Sequence, residues 1–99
     1  MNYNYILDPK AQQEYENSIE WYSERSELVT LNFIDTIEST IAVICKNPYL
    51  YKKGYKNFHA AVTKKYPYSI VYAVEEKIKT VVIISVFQNN RSPKKKYKK

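Results

Sequence analysis

Three observations place this chain in the α+β class, as an N-terminal strand, an antiparallel helical hairpin and a mainly antiparallel sheet in the order β-αα-βββ. Apolar residues recur at three- and four-residue spacing from about residue 9 to residue 47. From Phe58 to Phe87 they alternate with period two or run without interruption. The length, 99 residues, allows one core and no second domain. The expected organisation is a single domain over residues 1–90 followed by a basic tail over 91–99.

The elements follow in order. Asn2-Tyr3-Asn4-Tyr5-Ile6-Leu7 is aromatic and branched, and predicts a strand. Asp8-Pro9 is a helix start, with an aspartate as N-cap and proline at the first helical position. Ala11, Tyr15, Ser18, Ile19 and Tyr22 then form one narrow stripe, with Glu14, Glu16, Glu20 and Glu24 on the wet face and Trp21 off the stripe. Ser23 to Ser26 breaks the pattern, and a second helix is expected from Glu27 to Lys46. Its apolar residues Leu31, Phe33, Ile34, Ile37, Ile41, Ile44 and Cys45 span an arc of about 160°, wide enough to touch both a partner helix and a sheet. Lys46 near the last carbonyls and Pro48 after Asn47 close it. Phe58, Ala60 and Val62 alternate with His59, Ala61 and Thr63, and the first set is expected to face the core. Tyr68 to Val74 alternates likewise, Glu75 to Lys79 turns the chain, and Val81 to Phe87 is apolar on both faces, as a central strand is.

Composition removes several function classes. One glycine excludes a glycine-cradled phosphate site, and one cysteine excludes a disulfide framework or a cysteine-rich zinc site. Cys45 sits on the apolar arc and is expected in the core. With a single histidine and scattered acids, neither a metal nor a cofactor is expected. The opening residues do not resemble a leader and no stretch reaches the length of a membrane span, so a cytoplasmic protein without a membrane partner is expected. The net charge of +6 is polarised. Residues 1–45 hold two basic and eight acidic residues, whereas residues 46–99 hold fourteen basic residues against Glu75 and Glu76. Such separation points to an anionic partner on the basic side.

With its particular residues, this order resembles the RelE/ParE superfamily of toxins from type II toxin–antitoxin systems, the plasmid stabilisation family. The resemblance covers nearly the whole chain. It rests on Ile6-Leu7-Asp8-Pro9-Lys10-Ala11 entering the hairpin and Asn47-Pro48 leaving it. Tyr55-Lys56-Asn57-Phe58, Lys64-Lys65-Tyr66-Pro67-Tyr68-Ser69-Ile70-Val71-Tyr72, and Val86-Phe87 followed by Arg91-Ser92-Pro93 complete it. It implies a RelE/ParE-like fold and a growth-inhibiting toxin neutralised by a cognate antitoxin that wraps its working surface. It also implies one of two targets. RelE-like toxins cut mRNA in the ribosome without metal, and ParE-like toxins poison DNA gyrase. The long hairpin resembles the ParE branch. Two positions depart from the pattern: related sequences usually carry arginine where His59 stands and histidine where Gln88 stands. A third outcome is an inactive or repurposed member acting only as a binding module.

If the chain is a nuclease, the expected catalytic residues are His59, Arg91 and Tyr97. RNA cleavage needs a base for the 2′-hydroxyl, charge for the transition state and an acid for the leaving oxygen. An imidazole titrates near neutrality and suits the acid or base role. Arginine grips phosphate through two parallel N–H bonds, and tyrosine stacks on a base. Lys56, Lys64, Lys65, Lys94, Lys95 and Lys96 are expected to contact RNA or another target, and Trp21 to anchor the antitoxin. Each also has a plainer reading. His59, between Phe58 and Ala60, is expected to point away from the core and so serves equally as a surface histidine. Arg91 equally pairs with an acid, and the lysines equally form a solvated surface.

Overall fold

The computed structural model describes residues 3–54 and 56–89. Its elements are β1 (Asn4–Leu7), α1 (Pro9–Ser23), α2 (Glu27–Lys46), β2 (His59–Val62), β3 (Tyr68–Glu75) and β4 (Thr80–Gln88). Local chemistry sets the helix ends. Asp8 accepts from the Lys10 amide at 3.2 Å ahead of Pro9. Ser26 accepts from the Val29 amide at 3.2 Å, restarting the helix after the bend. Each cap satisfies a backbone donor that has no partner inside the helix.

The sheet runs β1-β4-β3-β2, with β1 parallel to β4 and the other two pairings antiparallel. The parallel pair is possible because the whole hairpin serves as the crossover between β1 and the sheet. The short helical turn Glu76–Ile78 links β3 to β4, and Lys79, with φ of 49°, reverses the chain into β4. Helix α1 lies on β4 and α2 packs on α1. Phe33 of α2 reaches the sheet, its ring 4.9 Å from that of Tyr68 and 4.8 Å from that of Tyr22. Ile37, Ile41 and Ile44 join it in a core with Ile70, Tyr72, Val81, Ile83 and Val86. Cys45 is buried beside them. Contrary to the expectation that no stretch reaches the length of a membrane span, α2 is long and apolar enough to cross a membrane by length and composition, although its Phe33, Ile37, Ile41 and Ile44 are buried in the core.

Three further expectations are corrected. Leu31 is not part of the packed arc of α2: it is 58% exposed, while Thr30 is buried. The helix is apolar over more of its circumference than its neighbours cover. Strand β2 has the opposite phase, with His59, Ala61 and Thr63 buried and Val62 exposed. His59 pairs with Tyr72 and Ala61 with Ile70, both core residues, so the histidine points inward, not outward. A shift of one residue turns every side chain of a strand over. Here partners from elsewhere in the chain override the local pattern: the Tyr51 carbonyl and Tyr72 ring take His59, and the Tyr66 carbonyl accepts from the Thr63 hydroxyl.

Glu14, expected on the wet face, is half-buried. Its Oε1 accepts from the Ser85 hydroxyl at 2.8 Å and the Val86 amide at 2.9 Å. Val71 pairs with Ser85 and Tyr72 with Ile83, so Ile84 is an extra residue and β4 carries a bulge. Strand β1 pairs only with Thr80 to Ile83. Past that point no strand lies beside the outer side of β4 among the described residues, and the Glu14 carboxylate supplies the acceptor.

Candidate functional site

The segment between α2 and β2 folds back over the core-facing end of the sheet, and His59 lies beneath it. The His59 side chain is 5% exposed. Its ring stacks on Tyr72, with centroids 5.1 Å apart and planes 11° apart, and meets the edge of Tyr49 at 5.9 Å. Nδ1 lies 2.8 Å from the carbonyl oxygen of Tyr51. A carbonyl oxygen only accepts, so Nδ1 carries the proton and, in the neutral ring, Nε2 is the basic nitrogen. The segment is held elsewhere as well. The Tyr72 hydroxyl donates to the Pro48 carbonyl at 2.6 Å, and Lys53 forms an isolated antiparallel bridge with His59. Burial pushes the Tyr72 hydroxyl pKa up.

At the surface above this ring, Tyr49 and Tyr3 both donate to Oε2 of Glu76, Tyr3 at 2.7 Å. Lys79 Nζ stands 3.4 Å from the other carboxylate oxygen and 4.9 Å from the centre of the Tyr3 ring. The tyrosine hydroxyls, with the nearby ammonium, hold the Glu76 carboxyl below the usual carboxylate range. The same bond pushes the Tyr49 phenol up to about 12, and the carboxylate raises Lys79. Glu76 is one of the two acids in the basic half of the sequence, the one signal that could have marked it in advance. Tyr49, Tyr51 and Tyr72 carried no such mark among eleven tyrosines.

The other expected site residues lie apart from His59. Lys56 is exposed, three residues away, with φ of 55°. Lys64 and Lys65 are exposed in the turn from β2 to β3, roughly 16 Å along the strand from His59. Trp21 belongs to their end of the molecule. It is 52% exposed, covered on one face by the Arg25 guanidinium at 3.7 Å, and packed edge-on against Tyr22 at 5.0 Å. Tyr22 in turn meets Tyr66 of the β2–β3 turn at 5.7 Å. The structure therefore brings Trp21 towards Lys64 and Lys65, and keeps all three from His59. Arg91, Lys94, Lys95, Lys96 and Tyr97 lie outside the described residues.

Residues 5–93 match the family described as the ParE toxin of the type II toxin–antitoxin system, parDE. The chain belongs to the ParE toxin family. Solved structures agree on the fold of this ParE-family chain. It is similar to the chromosomal ParDE toxin–antitoxin system from P. aeruginosa, with a TM-score of 0.73 and 12% identity, covering 87% of this chain and 95% of that one. It is also similar to the isolated E. coli RelE toxin, with a TM-score of 0.64 and 18% identity over 95% and 92% of the two chains. The intact E. coli RelBE toxin–antitoxin complex gives 0.64 at 17% identity over 90% and 99%. No curated protein matches the chain in sequence. The ParE-family toxin thus has the mixed sheet and helical hairpin common to the ParE and RelE structures.

Proposed function

We propose that this toxin arrests growth as a ParE-like inhibitor of DNA gyrase, without catalysing a reaction, until a cognate antitoxin neutralises it. The observation that carries this reading is the state of His59. A general base must come within about 3 Å of the proton it removes. The one imidazole of the chain is instead buried against Tyr72 and Tyr49 with Nδ1 committed to the Tyr51 carbonyl. The long hairpin, 15 and 20 residues in its two helices, supports the same branch. In this reading Lys56, Lys64, Lys65, Lys94, Lys95 and Lys96 contact the target, and the exposed Trp21 anchors the antitoxin on the hairpin. The toxin–antitoxin assemblies named for the similar P. aeruginosa and E. coli structures support a protein partner of that kind.

The second reading, a RelE-like mRNA endoribonuclease acting on the ribosome, is favoured by the excess of twelve positive charges in residues 46–99. Arg91, Tyr97 and His59 would then act at the scissile phosphate. Purified toxin added to a DNA gyrase supercoiling assay separates the two. Inhibition with accumulation of cleaved DNA is the expected result. Normal supercoiling at toxin concentrations that cut ribosome-bound mRNA would establish the nuclease instead.

A further inference from the structure

Three side chains from three different elements grip the same short stretch of backbone. Tyr72 of β3 donates to the carbonyl of Pro48 at 2.6 Å. His59 of β2 donates from Nδ1 to the carbonyl of Tyr51 at 2.8 Å. Glu76, in the turn between β3 and β4, accepts from the hydroxyl of Tyr49. We infer that His59, Tyr72 and Glu76 form a latch that fixes residues 48–53 against the sheet, and that His59 is a positioning residue setting where Lys52 and Lys53 stand. The latch is independent of the toxin's target.

The chemistry of the three points is complementary. Two of them act on main-chain carbonyls, which every residue carries, so the grip does not depend on which side chains occupy 48 and 51. The third uses the side chain of Tyr49, whose ring also closes over His59. Two side chains of the stretch are packed: Pro48 is buried and Tyr51, half-buried, lies against the core. Tyr49, Leu50, Lys52 and Lys53 are exposed. Among the described residues its further ties include the Leu50 amide to Asn47, the Tyr49 amide to the Asn47 side chain, and the bridge between Lys53 and His59. A segment so largely exposed opens locally unless directed bonds hold it.

Trypsin reads the latch directly, since Lys52 and Lys53 are its cleavage points within the segment. When opening and closing are fast, the rate of cutting follows the open population. Removing one bond of ordinary net strength should raise that population about fivefold. The variants are Tyr72→Phe, which removes only a hydroxyl, Glu76→Ala at an exposed turn position, and His59→Phe, which keeps a stacking ring without the donor. Tyr72→Phe and His59→Phe are each expected to speed cleavage after Lys52 or Lys53 about fivefold, and Glu76→Ala by less because its bond is solvent-exposed, with cutting elsewhere unchanged. His59→Asn places an amide N–H near the position of Nδ1, and should return the rate most of the way to that of the native chain. Unchanged cutting in Tyr72→Phe and Glu76→Ala would overturn the latch, as would uniform acceleration at every lysine and arginine. His59→Asn cutting as fast as His59→Phe would overturn the positioning role of His59. Gyrase inhibition by the native chain, measured beside these rates, keeps the two questions apart: its absence overturns the target and leaves the latch to the trypsin result.

Discussion

At Glu76 hydrogen bonding outweighs desolvation, and the consequence is a pH dependence with a definite sign. The carboxylate accepts from Tyr49 and Tyr3, which holds its pKa below the ordinary range in the folded chain. A folded-state pKa below the unfolded value means that the stabilisation is present above the unfolded pKa and is lost as pH falls through the folded one. Replacing Tyr49 with Phe removes the larger cause. In an NMR titration the Glu76 carboxyl should then move up toward its ordinary value, and a midpoint that stays put would contradict the assigned bond. Glu14 makes a different kind of contribution. Its carboxylate holds the Ser85 hydroxyl and the Val86 amide at the bulge, and Glu14→Ala leaves both without that acceptor. A loss of about 1–3 kcal/mol is expected in urea denaturation, with Glu14→Gln, which keeps a carbonyl acceptor, closer to the native value.

Among the elements, α2 and β2 show where local pattern stops deciding structure. Ile37 is fully buried and Leu31 is 58% exposed, though both lie on the apolar arc of the same helix. Ile37→Ala should cost about 2–5 kcal/mol and Leu31→Ala no more than about 0.5 kcal/mol in the same denaturation experiment. Equal losses would show that α2 packs over a wider face than the structure has. The helix ends were legible in the sequence because Asp8-Pro9, Ser26 and Asn47-Pro48 carry capping chemistry within one turn. The central position of β4 was legible because Val81 to Phe87 is apolar on both faces, whereas its parallel pairing with β1 was not. The phase of β2 was not. In Phe58-His59-Ala60-Ala61-Val62-Thr63 the more apolar face, Phe58, Ala60 and Val62, is the one turned outward, so the local pattern pointed the wrong way. What settles the matter is distant in sequence: Tyr49 and Tyr51 close over His59 from one side and Tyr72 supports it from below. The candidate site was legible as residue types and not as a constellation. Nothing local reveals that β2 holds His59 and the Lys64–Lys65 pair at opposite ends. Nor does any local pattern place Trp21 with the latter through Tyr22 and Tyr66.

For the molecule as a whole, charge and hydrophobic exposure are unevenly distributed over the sequence. The acidic half contains the hairpin, which also exposes Trp21, Leu28 and Leu31. The basic half contains the latched segment, the β2–β3 turn and the residues beyond β4. A toxin that uses one region for its target and another for its antitoxin should separate under mutation. Trp21→Ala is expected to weaken co-purification with the cognate antitoxin by at least tenfold, as loss of a buried aromatic anchor does, while gyrase inhibition by the free toxin persists. Equal binding by the variant and the native chain in a pull-down would remove Trp21 from that interface. The most direct test of gyrase inhibition is induced expression in a susceptible bacterium, with plasmid topology and mRNA 5′ ends measured in the same culture. Growth arrest with altered plasmid supercoiling, DNA damage and intact mRNA is the expected result. Arrest with new cuts inside translated codons and unchanged plasmid topology would contradict it, and would make Arg91, Tyr97 and His59 the residues of a ribosome-dependent nuclease.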